Sequence, residues 1–92
     1  MSARVLELVI RGRVQGVGFR HFVATRARAR GISGVVRNLP DGAVQVRAEG
    51  DPGSLEALAE ALRSGPPAAR VEHVDALWRD EPAQGQGFRI TS

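Results

Sequence analysis

Ninety-two residues without a cysteine describe one domain with one core, near the size at which roughly 60–65% of the unfolded surface is buried, and exclude disulfide scaffolds, zinc knuckles, iron–sulfur clusters and thiol nucleophiles. The isoelectric point near 11.3 overstates basicity, because all thirteen basic residues are arginine and the formal charge is only +3, a balance that fits an ordinary soluble protein or mild attraction of small anions. No apolar run approaches a membrane span, and the N-terminus enters a strand pattern rather than a leader, so a soluble, cytoplasmic protein is expected.

From Val5 to Arg11 the residues alternate, with Leu6, Leu8 and Ile10 on one face and Val5, Glu7, Val9 and Arg11 on the other, the period of a half-buried strand. The next stretch, Gly12-Arg13-Val14-Gln15-Gly16-Val17-Gly18-Phe19-Arg20, joins a glycine-rich turn to an arginine at a helix start. Such a turn is often only a tight connection. It also lets successive backbone N–H groups face one way, where the helix N-terminus adds positive potential and Arg20 a fork-shaped cation, so that a phosphoryl group is the natural guest. Phe19 to Arg30 reads as a helix with Phe19, Phe22, Val23 and Ala27 at helical spacing and Gly31 as its stop, its apolar stripe thin beyond Val23.

Val35 to Leu39 and Ala43 to Ala48 read as a hairpin around Pro40-Asp41-Gly42. Asp51 is placed to cap a second helix with Pro52 at its first position and Leu55, Leu58, Ala59 and Leu62 along one face; Gly65-Pro66-Pro67 ends it. Val71 to Arg79 reads as a strand whose step from Val71 to Val74 breaks alternation and suggests a bulge or a late start. Phe88 to Thr91 adds a short final strand.

This order predicts an α+β, ferredoxin-like βαββαβ sandwich spanning residues 1–92, an antiparallel sheet with two helices on one face and a short extra C-terminal strand. Right-handed crossovers put the first strand centrally, with the glycine turn at the sheet's end. Asn38 stands where the second strand meets the Pro-Asp-Gly turn. An asparagine there either bonds its own backbone or serves a ligand.

The blocks GRVQGVGFR and GVVRNLPDG resemble the two signature blocks of the acylphosphatase family, and the resemblance extends over almost the whole chain, Gly65-Pro66 and Phe88-Arg89-Ile90 included. It implies a small hydrolase that converts an acyl phosphate to a carboxylate and inorganic phosphate. By that resemblance Arg20 corresponds to the phosphate-binding arginine, Asn38 to the residue that orients the attacking water, and Gln15, Gly16, Val17, Gly18 and Phe19 to the backbone cradle. A carboxylate leaving group departs without a proton, so no general acid, metal or cofactor is required at that oxygen. The chain departs from the family pattern at Val35, where relatives often carry an aromatic, at the small Ala24 and Ala29, and at the Thr91-Ser92 end. With so little volume on the first helix, stability is expected to depend heavily on the second.

Two alternatives of the same fold are a noncatalytic anion-binding module, including a detached copy of the acylphosphatase-like domain of larger carbamoyl-transfer proteins, and an RNA-binding module. RNA-recognition sheets need stacking aromatics on their central strands, and Leu8, Val9, Val44 and Val46 were expected at those positions. His21 reads as a surface histidine, His73 as a strand residue sharing a face with Asp75, and Trp78 as a packing residue. Arg37 and Arg47 are expected to face each other across the hairpin, with Glu49 offsetting their repulsion. A small-molecule substrate, no nucleic-acid or membrane partner, and a monomer complete the expectation.

Overall fold

The computed structural model describes residues 4–85 and 87–91; Met1–Ala3, Gln86 and Ser92 lie outside them, as therefore do the ends of the expected domain. The elements run β1 (Arg4–Arg13), α1 (Phe19–Ala29), β2 (Ser33–Asn38), β3 (Val44–Gly50), α2 (Pro52–Ser64), β4 (Arg70–Arg79) and β5 (Phe88–Ile90). They form a ferredoxin-like α+β fold whose sheet has the order β4-β1-β3-β2-β5. Strands β1 to β4 pair antiparallel, whereas β5 lies parallel to β2, which makes the sheet mixed at that edge.

Alternation in β1 sends Leu6, Leu8 and Ile10 into a core shared with Val36, Val44, Val46 and both helices. Helix α2 contributes Leu55, Leu58, Ala59 and Leu62, the apolar stripe the sequence predicts. Its N-cap is equally local in origin: Asp51 accepts hydrogen bonds from the N–H groups of Gly53 and Ser54 through Oδ2, and Pro52 occupies the first turn. Asp51→Ala is expected to lower stability by about 1 kcal/mol. A drop in the urea midpoint at unchanged m-value would register it.

The thin stripe of α1 has a geometric explanation. Ala24 and Ala27 are fully buried beside Val23, so the helix lies close to the sheet, and the volume missing along its length is concentrated at its start in Phe19, which is 1% exposed and tilted against Phe22 at a centroid distance of 6.1 Å.

The expected irregularity of β4 lies opposite Gly12, where the register with β1 shifts by one residue between Arg11 and Gly12. Only glycine fits there: its φ is +131°, and a Cβ would meet the Arg70 carbonyl oxygen at 2.1 Å. Beyond the shift Gly12 and Arg13 still pair with Val71 and Arg70, and the chain then passes into the glycine-rich loop.

Two expectations for the open sheet face are corrected. Leu8, Val44 and Val46 are fully buried on the helix side, and by pairing parity the open face of the central strands carries Glu7, Val9, Gln45 and Arg47. Neither central strand has an aromatic residue, so the stacking platform is lacking for that reason rather than the expected one. Arg37 and Arg47 do not face each other, because Arg37 pairs with Gln45 and Arg47 with Val35. Arg37 Nε donates to Gln45 Oε1. Arg47 is surrounded by Glu7, Glu49 and Glu81, and the hydrogen bond to Glu81 is the main reason its guanidinium holds its proton more tightly than usual.

Trp78 pairs with Leu6 and so stands on the helix side, with Arg4 over its ring at 4.8 Å. His73 and Asp75 share a face as expected, 3.0 Å apart and exposed.

Candidate active site

The glycine-rich loop leaves β1 at the same end of the sheet as the β2–β3 turn, because Ile10 of β1 and Asn38 of β2 both pair with Val44 of β3. Three contacts lock the two together. Gln15 Nε2 donates to the carbonyl oxygens of Leu39 at 2.7 Å and Ala43 at 2.8 Å, and Arg11 Nη1 donates to Asp41 Oδ2 at 2.9 Å. The bond from Arg11, helped by the Ala43 N–H, holds the Asp41 carboxyl below the ordinary carboxylate range. A carboxyl depressed in this way keeps its partner at neutral pH and gives it up only as pH falls below the ordinary aspartate value of about 3.9.

Within the loop, Gly16 and Gly18 have φ of +75° and +79°, the left-handed conformation that glycine adopts without strain. Gly18 is the N-cap of α1 and brings no side chain to the helix end. Among the described residues, no N–H group from Gln15 to Arg20 donates to another backbone carbonyl. A run of free donors at a helix N-terminus makes a concavity suited to an oxyanion.

These N–H groups border a pocket of about 290 Å³ lined by Val14, Gly16, Gly18, Phe19, Arg20, His21, Asn38 and Ile90. No acidic residue lines it. Of the residues singled out in the sequence, Gly16, Gly18, Phe19, Arg20 and Asn38 are brought together here, while Gln15 and Val17 are not among the lining residues. The Gln15 amide holds the hairpin, and Val17 packs on the core.

Arg20 lies in the first turn of α1, half-buried. Its Nη1 donates to the carbonyl oxygen of Thr91 at 2.9 Å, and Thr91 is itself fixed by its N–H to the Val36 carbonyl at 2.9 Å. The C-terminal end thus holds one prong of the guanidinium fork. Asn38 is half-buried at the end of β2, and its Oδ1 is buried with no protein donor within reach. Through that oxygen Asn38 makes no local, backbone-capping bond.

Sequence reasoning missed three features: the Thr91 carbonyl, the structural use of the Gln15 side chain, and the walls formed by His21 and Ile90. A backbone carbonyl leaves no mark in a sequence. His21 is exposed, as expected, yet at the pocket's edge.

Fold and pocket together define a ferredoxin-like α+β domain with a pocket beside the glycine-rich loop that follows its first strand. The acylphosphatase family model matches residues 6–90. The chain is 52% identical over 81 residues to an acylphosphatase of Salinibacter ruber, covering 88% of this chain and 85% of that one, and 51% identical over 83 residues to one of Thermococcus kodakarensis, covering 90% of each. The crystal structure of acylphosphatase from Bacillus subtilis superposes with a TM-score of 0.93 at 34% identity, covering 97% of this chain and 99% of that one. HypF from T. kodakarensis contains the same fold, with a TM-score of 0.83 at 30% identity, but this chain spans only 12% of it. The chain belongs to the acylphosphatase family, and it is an enzyme, a hydrolase.

Proposed function

We propose that the chain hydrolyses acyl phosphates to a carboxylate and inorganic phosphate, with Arg20 and the N–H groups of Gln15 to Phe19 binding the phosphoryl group and Asn38 orienting the water. The observation that carries this reading is a single pocket edged by free N–H donors and lined by one arginine and an asparagine whose Oδ1 is buried and unpartnered. In the reaction the water oxygen forms a bond to phosphorus as the bond from phosphorus to the acyl oxygen breaks. The electron pair of that bond leaves with the carboxylate.

Because the leaving group is a stable anion, the protein has mainly to hold charge spread over the phosphoryl oxygens. Oriented N–H groups and a preorganised guanidinium do this without rearranging, each contributing on the order of 3–4 kcal/mol in comparable sites. The amide of Asn38 is too weak a base to take a proton, but its oxygen, brought to the pocket by a turn of the half-buried side chain, accepts one hydrogen bond from the water, whose lone pair is then aimed at phosphorus. The water's proton passes to a phosphoryl oxygen. On this reading no metal or cofactor enters, the enzyme acts as a monomer, and a small soluble substrate suits a cytoplasmic enzyme without nucleic-acid or membrane partners.

Steady-state hydrolysis of an aromatic acyl phosphate tests the proposal directly. Turnover should be unaffected by a chelator and competitively inhibited by inorganic phosphate. A folded but inert protein would overturn the activity, and loss of turnover on chelation would overturn the metal-free route.

A further inference from the structure

Glu49 is the one buried charged residue among those described, 6% exposed. It sits on β3 near the end of the sheet remote from the pocket, paired with Val5 and Ser33. Its carboxylate takes no part in the site, and yet it is fully engaged: Oε1 accepts from the backbone N–H groups of Gln84 at 2.6 Å and Gly85 at 3.2 Å, while Oε2 lies 3.5 Å from Arg47 Nε. A charge buried this far is a poor stabiliser, since an apolar side chain of the same volume often does as well or better. What it supplies is direction, because a carboxylate fixes the position of the donors that point at it.

Those donors belong to the segment between β4 and β5, which crosses the open face of the sheet. The segment is tied again at Glu81 by Arg47 Nη2 at 2.7 Å and at Gly87, which accepts from the Gly34 N–H at 2.9 Å. It then becomes β5, whose first carbonyl, that of Phe88, receives both Nε and Nη2 of Arg28 at 3.2 and 3.0 Å. Three residues further on is the Thr91 carbonyl that holds Arg20. A three-residue strand pairs with β2 over a short span, closed by the Thr91 N–H on the Val36 carbonyl, so the anchors that precede it share in fixing where the carbonyl lies.

We propose that Glu49 is a positioning residue for Arg20, acting through the anchored segment and β5, with Arg28 as the second anchor on the same route; this rests on the reading of Arg20 as the phosphoryl-binding cation. Loosening either anchor lets the Thr91 carbonyl drift and frees the guanidinium to leave the pocket. Coupling carried through such a packed chain amounts to roughly two- to thirtyfold in affinity.

The test compares inorganic phosphate affinity, kcat and the order of the Arg20 Nε–H group by NMR in the wild type, Glu49→Leu, Glu49→Gln and Arg28→Met. Glu49→Leu and Arg28→Met are expected to weaken phosphate binding about tenfold and to increase Arg20 mobility. Glu49→Gln, which keeps an acceptor oxygen for the Gln84 and Gly85 donors, should stay within about twofold of the wild type. In an Arg20→Ala background, Glu49→Leu should weaken phosphate no further.

Wild-type affinity and Arg20 order in folded Glu49→Leu would overturn the inference, as would an equal loss with Arg20 already removed. Should Glu49→Leu fail to fold, Glu49→Ala at lowered temperature and Arg28→Met decide it by the same readings. If Arg20→Ala alone binds phosphate normally, the functional reading falls, while Arg20 order, which needs no ligand, still decides the anchoring.

Discussion

Arg20→Ala is expected to lower kcat/KM for an acyl phosphate by about a thousandfold while leaving the fold intact. Among the described residues, Arg20 is the only arginine lining the pocket, and charge on a transferring phosphoryl group is what an arginine in this position neutralises. The substitution removes a half-exposed side chain and one hydrogen bond to Thr91, so the change in stability should be no more than about 1 kcal/mol. Inorganic phosphate should lose its competition in parallel, because product and substrate share the phosphoryl end. Arg20→Lys separates charge from shape. With one prong of the fork on the Thr91 carbonyl, an ammonium at that site cannot both keep the anchor and reach the anion in the plane the guanidinium fixes, so lysine should recover only a small part of the loss. Full recovery by lysine, or undiminished phosphate inhibition in Arg20→Ala, would contradict this division of the fork.

Asn38→Ala should have an effect of similar size but a different kinetic form. An oriented water contributes to the transition state and little to ground-state binding, so kcat is expected to fall about a hundred- to a thousandfold while phosphate inhibition stays within about threefold. Stability should not fall and should rise if anything, because the Oδ1 that is lost is buried and has no protein partner to abandon. Asn38→Asp sharpens the test. It keeps an acceptor at the same place but adds negative charge beside an anion, and it should therefore weaken phosphate as well as turnover. A fall in phosphate affinity of Asn38→Ala as large as the fall in kcat would mean that Asn38 binds the substrate rather than aims the water.

Much of this site is legible in the residues because its parts are local. Glycines at positions 16 and 18 announce positive φ, Asp51-Pro52 announces a helix start, and the alternation of Leu6, Leu8 and Ile10 decides which face of β1 is buried. The expected placement of Asn38 beside the turn needs only the hairpin register, and the structure has it opposite Val44. Local reasoning fails where a position depends on the other end of the chain. Alternation alone does not say whether Leu8, Val44 and Val46 or their neighbours face the open side, because which face lies open is set by where the helices pack. Arg47 was matched to Arg37 because its carboxylate neighbours come from β1 and from the segment beyond β4. The Thr91 carbonyl on Arg20 spans 71 residues, and no pattern near either residue signals it.

The strand order also decides how the sheet meets other molecules of its kind. Its two margins are β4, ten residues long, and β5, only three, and an unpaired margin is a template for intermolecular strand addition. The short one offers too few free groups to template a partner. The long one carries Arg70, Glu72, Asp75 and Arg79 among its apolar residues, so that a second strand laid along it must bury charge without a matched counterion. Aggregation of the native protein is therefore opposed at both sides by different means, by brevity at one and by ionic side chains at the other. Neutralising β4 would turn the longer margin from a barrier into a seed for fibrils.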